Sequence, residues 1–121
     1  AMKLKGRYRS ASAFAPICHP SASEWGRKQL GAYLGEDEAT WARHDATLTL
    51  REHGFDGPML IDVGTDDQFF DHLGLDAFAG AVAARRCEAV LRLQKGYDHS
   101  YFFVSSFMED HVGFHAEALY A

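Results

Sequence analysis

Three short apolar runs, each closed by a turn and followed by a helical pattern, constrain this chain more than any other feature. They are Ser10-Ala11-Ser12-Ala13-Phe14-Ala15, broken at Pro16, then Pro58-Met59-Leu60-Ile61-Asp62-Val63 with Gly64, and Ala89-Val90-Leu91-Arg92-Leu93. Runs that lack a polar alternation read as strands covered on both faces. Between the first two lie a helical stretch from Ser23 to Leu34, stopped by Gly35, and a second opening at Asp37 or Glu38. In that second helix Trp41 and Ala42 turn inward, and Asp45 to Glu52 reads as a further helix ending at Gly54. A helix from about Leu75 to Arg86 separates the second and third strands, and Arg85-Arg86 suits its dipole. The last helix runs from about Ser100 to Leu119, with Val104, Met108, Val112 and Leu119 as its expected inner stripe. Strands alternating with helices imply right-handed crossovers and a parallel sheet. The expected fold class is α/β, with three parallel strands and flanking helices.

The chain opens abruptly. Ala1 to Lys5 are good helix formers with no N-cap, stopped by Gly6, and read as the tail of a helix. The strand at Ser10–Ala15 would then present an open edge, which parallel sheets normally cover. Residues 1–121 are therefore expected to form the C-terminal portion of a single, larger α/β domain. An open edge also predicts that the isolated chain dimerises or aggregates, so a homodimer is an expected partner state.

Charge narrows the choice of ligand. The formal net charge of −5 argues against nucleic acid and against an anionic membrane surface. The one basic run, Lys3, Lys5, Arg7 and Arg9, reads as a solvated helix end rather than a phosphate arm. No stretch is long and apolar enough to span a bilayer, and the first residues lack the apolar core of a signal peptide. Cys18 and Cys87 have no metal spacing, and the composition reads as an intracellular enzyme, so a disulfide is disfavoured.

Chemistry in such sheets gathers at the carboxyl ends of the strands. Two strand-end loops share that rim: Thr65-Asp66-Asp67-Gln68 and Gly96-Tyr97-Asp98-His99. An aspartate after one strand can hydrogen-bond a histidine after the next, orienting the imidazole and fixing its tautomer. An acid followed by a histidine is the late half of the Ser…Asp…His order of α/β-hydrolases. Spacing does not choose between Asp66 and Asp67, and either could instead cap the following helix. No G-x-S-x-G elbow occurs, and Ser21 and Ser100 lack the flanking glycines of one.

Several motifs together resemble the S-formylglutathione hydrolase (esterase D) family. They are Ser12-Ala13-Phe14-Ala15-Pro16-Ile17-Cys18 with Pro20, Trp25-Gly26 with Tyr33-Leu34-Gly35, and Asp45-Ala46-Thr47. Leu60-Ile61-Asp62 with Gly64 follows, then Asp66-Asp67-Gln68-Phe69 and Gly96-Tyr97-Asp98-His99-Ser100-Tyr101. The resemblance spans almost the whole chain in order. It implies an α/β-hydrolase fold, a cytoplasmic enzyme without cofactor or metal, and hydrolysis of S-formylglutathione to glutathione and formate in formaldehyde detoxification. Simple esters are further expected substrates. It also implies that Asp67 is the triad acid, with Asp66 as the fallback, and that His99 is the base. The family's half with the serine elbow and oxyanion hole has no counterpart here, so the chain by itself is expected to be inactive. The competing reading is a non-catalytic α/β scaffold or binding module derived from the same family.

Other residues invite weaker readings. His111 and His115 have the i, i+4 spacing that metals use, but no third ligand is evident, and a solvated or edge position is expected. Trp25 and Trp41 read as core or lid packing. Cys18 reads as buried and inert. Asp98 and Tyr101 flank His99 as positioning residues.

Overall fold

The computed structural model describes residues 1–121. Three parallel strands, β1 (Ala11–Phe14), β2 (Met59–Gly64) and β3 (Ala89–Gln94), form a sheet in the order β1-β2-β3. Ala11 lies opposite Met59, and Met59 opposite Ala89. Between β1 and β2 come a short 3-10 turn and helices α1 (Glu24–Leu34), α2 (Glu38–Ala42) and α3 (Ala46–His53). Helices α4 (Phe70–Leu73) and α5 (Leu75–Arg85) link β2 to β3, and α6 (Tyr101–Tyr120) closes the chain.

Local chemistry sets the helix boundaries. Ser23, Asp37, Asp45 and Ser100 each N-cap a helix by accepting a backbone N–H with the side chain. Gly35 and Gly54 end α1 and α3 with positive φ. The segment Asp45–Glu52 is thus a helix, as its pattern suggests.

All six residues of β2 are buried, which makes it the spine of the core. Alternation sends Met59, Ile61 and Val63 to one face, where Leu50, Leu73, Phe78 and Ala81 from α3, α4 and α5 cover them. The other face carries Asp62 and meets α6 through Phe103 and His111. The layering is helix, sheet, helix, with α6 alone on its side.

Three expectations fail here. Residues 1–9 form successive turns rather than a helix tail, with Leu4 N–H bonded to Ala1 O and Arg7 N–H to Leu4 O. Gly6, at φ +75°, breaks any helical continuation. Second, β1 is only half-buried along its length, because just one of its edges is paired. Third, the inner stripe of α6 is not Val104, Met108, Val112 and Leu119. Met108, Val112 and Leu119 are 44%, 61% and 61% exposed, whereas Phe103 and His111 are 1% and 2% exposed. The helix carries two apolar stripes about 100° apart, and the aromatic one, Phe103-Phe107-His111, meets the sheet through Phe14.

Candidate active site

The acid loop begins where β2 ends. Gly64 closes the strand, and Asp67 N–H returns to Gly64 O at 3.2 Å. Asp67 Oδ1 accepts the N–H of Phe69 at 2.7 Å, an Asx turn that leads the chain towards α4. The second oxygen, Oδ2, accepts Nδ1–H of His99 at 2.9 Å. The Asp67 side chain is 0% exposed and that of His99 is 41% exposed, so a buried carboxylate holds a partly open imidazole. With Nδ1–H committed to the carboxylate, the neutral ring keeps its lone pair on Nε2, and Nε2 makes no hydrogen bond within the chain. Asp66 is exposed, its carboxylate bonded only by Thr65 Oγ1 at 3.5 Å and not to His99. The two aspartates that spacing cannot separate are separated by burial and by the bond to His99.

The histidine loop lies directly on the acid loop. A Cβ on Gly64 would stand 2.0 Å from Tyr97 O, so only glycine lets the two backbones approach this closely. Asp66 N–H donates to Tyr97 O and Thr65 N–H to Gln94 O, both at 3.0 Å. Ser100 then caps α6 by accepting Phe103 N–H at 3.4 Å. An aromatic wall backs the imidazole: Phe69 meets it edge-on at 5.2 Å, and Trp25 stacks on Phe69 at 5.4 Å. His99 also lines a cavity of about 540 Å³ with Phe14, Ala15, Tyr101, Phe103 and Val104. Ala15 closes β1 at φ +44°, a left-handed conformation uncommon outside glycine, pinned by its N–H to Asp62 O at 2.7 Å.

Neither local serine addresses His99. The Ser100 hydroxyl serves the helix cap, and Ser21 Oγ donates to Asp45 at 2.6 Å. Asp45 is the hub of a separate cluster, taking His19 Nδ1–H at 2.9 Å, Ser21 N–H and Leu48 N–H. Burial raises the Asp45 carboxyl, but the Ser21 hydroxyl, the two amides and His19 outweigh it and hold it below the usual range.

A third buried carboxylate has a role that the strand motif alone does not announce. Asp62, in the middle of β2, accepts Arg92 Nε–H and Nη2–H at 2.7 and 2.6 Å, Gln94 Nε2–H at 2.9 Å and His111 Nε2–H at 2.6 Å. Burial would raise this carboxyl; the four donors, Arg92 foremost, leave it lowered. The signal was present, since an aspartate inside a fully buried strand demands partners. His111 is therefore buried against Asp62 and stacked on Phe14 at 3.8 Å, not solvated. His115 lies at 2.7 and 2.8 Å from the Ser10 and Ser12 hydroxyls, so the pair shares no ligand site. Trp41 is core, at 7% exposure. Both cysteines are free thiols, and burial pushes Cys18 up to about 12, which keeps it protonated and inert.

Comparison with known proteins identifies the family. A protein named S-formylglutathione hydrolase from Paracoccus denitrificans is 60% identical over 119 residues, covering 98% of this chain and 43% of that protein. Its mouse namesake is 45% identical over 124 residues, covering all of this chain and 44% of its own length. A solved S-formylglutathione hydrolase from Agrobacterium tumefaciens superposes with a TM-score of 0.92 at 41% identity, across 98% of this chain and 43% of that one. Esterase B from Lactobacillus rhamnosis shares the fold alone, at TM-score 0.67 and 17% identity over 91% of this chain and 41% of its own. The chain thus spans less than half the length of the relatives it matches. Residues 1–114 match the Esterase family model, described as "Putative esterase", and the chain belongs to that family.

Proposed function

We propose that this chain is the C-terminal part of an α/β-hydrolase domain and supplies the acid, Asp67, and the base, His99, of a serine thiolester hydrolase. The nucleophilic serine lies in a part of the protein outside these residues. The substrate is S-formylglutathione, split to glutathione and formate, with simple esters as further substrates. The setting is cytoplasmic formaldehyde detoxification, and no helix here is long and apolar enough to cross a membrane. The observation that carries the reading is the 2.9 Å bond between buried Asp67 and His99 on adjacent strand-end loops, with Nε2 left free.

The chemistry follows from that geometry. Nε2 takes the serine proton as the serine oxygen attacks the formyl carbon. The resulting imidazolium is stabilised by Asp67, which stays ionised. Nε2–H then protonates the departing glutathione sulfur. In the second half-reaction the same nitrogen deprotonates water as it attacks the formyl ester, then returns that proton to the serine oxygen as the ester bond breaks and formate leaves.

The test compares the 121-residue chain with the full-length protein. The chain alone should not hydrolyse S-formylglutathione, and the full-length protein should. His99→Ala in the latter should cut kcat by at least about 10⁴-fold. Near-normal turnover by that variant would overturn the assignment of the base.

A further inference from the structure

Asp67 fixes the ring of His99, but a ring is only as well placed as the backbone that carries it. The base loop runs from Gly96, at φ +83°, to His99, and its two terminal amides are taken by side chains of the acid loop. Thr65 Oγ1 accepts Gly96 N–H at 2.9 Å. Gln68 Oε1 accepts His99 N–H at 3.2 Å. The base therefore donates two bonds to consecutive residues of one loop, ring Nδ1–H to Asp67 and backbone N–H to Gln68. Gly64 sits beneath the middle of the same loop, against Tyr97.

We propose that Thr65 and Gln68 are positioning residues for the base, bracketing the His99 loop at both ends through its backbone amides. This rests on the reading of His99 as the base. The physical need is specific. His99 gains and loses a proton twice per turnover, and each time its attraction to Asp67 changes. A loop held only by the ring contact could follow that change, and Nε2 would drift from the reacting oxygen. Displacements of about an ångström at a catalytic group are costly in rate. Two backbone anchors allow the ring to change charge without moving its Cα. Both side chains are exposed, so they contribute little core packing.

The experiment uses the full-length enzyme with S-formylglutathione. Thr65→Val and Gln68→Met remove each acceptor while keeping the side chain's size. Each should lower kcat by about three- to tenfold, the worth of one net hydrogen bond, with KM within about twofold. Thr65→Ser and Gln68→Glu, which keep an acceptor oxygen, should restore most of the loss. His99→Ala is run alongside. If His99→Ala abolishes turnover while Thr65→Val, Gln68→Met and their double variant keep kcat within about twofold, the bracket is overturned and the base assignment stands. A loss that falls on KM alone, or that Ser and Glu fail to rescue, also overturns it. Full activity in His99→Ala would instead remove the reading beneath both.

Discussion

Between Asp66 and Asp67 the difference is one residue and one turn of backbone, yet the physical consequences diverge sharply. Asp67 is enclosed and gives one oxygen to Phe69 N–H and the other to His99, whereas Asp66 faces solvent. An amide at position 67 would present either an N–H to the imidazole or a weaker acceptor, and would favour the wrong tautomer. Asp67→Asn in the full-length enzyme should reduce kcat by roughly 10³- to 10⁴-fold. Asp66→Asn should stay within about threefold, since it removes only a solvated charge. Steady-state kinetics of the two variants decide the matter, and equal losses would show that burial has been misread as function. The strand-end position of His99 and an acidic partner loop were legible in the sequence because parallel strands bring consecutive loops to one rim. Spacing does not say which aspartate turns inward, because an Asx turn flips the choice without altering it; only the family resemblance points to Asp67. The His19–Asp45 bond was equally hidden, its partners 26 residues apart on loops whose approach depends on α1 and α2.

Element boundaries were readable where a cap or glycine enforces them, as at Ser23, Gly35, Gly54 and Ser100. The rotation of α6 was not. Both of its stripes are apolar, and His111 counts as polar until Asp62 is known to sit opposite it. That contact makes Asp62 the joint between β2, β3 and α6, with Arg92 passing on to Asp110 at 3.0 Å. Asp62 and Asp45 are both held below the ordinary carboxylate range, so each is more acidic folded than unfolded. Their contribution is complete above the unfolded value of about 4 and disappears as pH falls through the folded values. The full-length protein should therefore lose thermal stability steeply on acidification below about pH 4. Asp62→Asn should lose roughly 3 kcal/mol at pH 7, by leaving Arg92 without its carboxylate, and should melt with a shallower acid dependence. Thermal melts between pH 3 and 7 test both points; an unchanged midpoint at pH 7, or parallel acid profiles, would show that the joint carries no stability.

At the scale of the whole molecule, the surface area is the telling quantity. A compact monomer of this mass, 13.5 kDa, exposes about 6,500 Å², whereas the chain exposes 7624 Å². The surplus has identifiable sources. The outer edges of β1 and β3 are unpaired, Val90 and Leu93 of β3 are exposed, the second stripe of α6 leaves Tyr101, Met108, Val112 and Leu119 exposed, and Phe14 and Val104 line the cavity beside His99. His115, bonded to Ser10 and Ser12, places that stripe on the β1 side of the helix, so the β1 edge, stripe and cavity form one continuous unfilled face. An unpaired parallel strand beside an apolar helix face offers backbone hydrogen bonds and hydrophobic burial together, which is the combination that drives self-association. The isolated chain should elute from size exclusion as dimers or larger species at micromolar concentration and bind a hydrophobic dye. Met108→Lys with Val112→Glu should shift it towards monomer, since charges on the stripe resist burial. If, as proposed, the chain is part of a larger domain that covers this face, the same pair should cost stability in the full-length protein instead. An isolated chain that is monomeric, binds no dye and unfolds cooperatively would mean that this face needs no partner, and the chain would then be a self-sufficient unit.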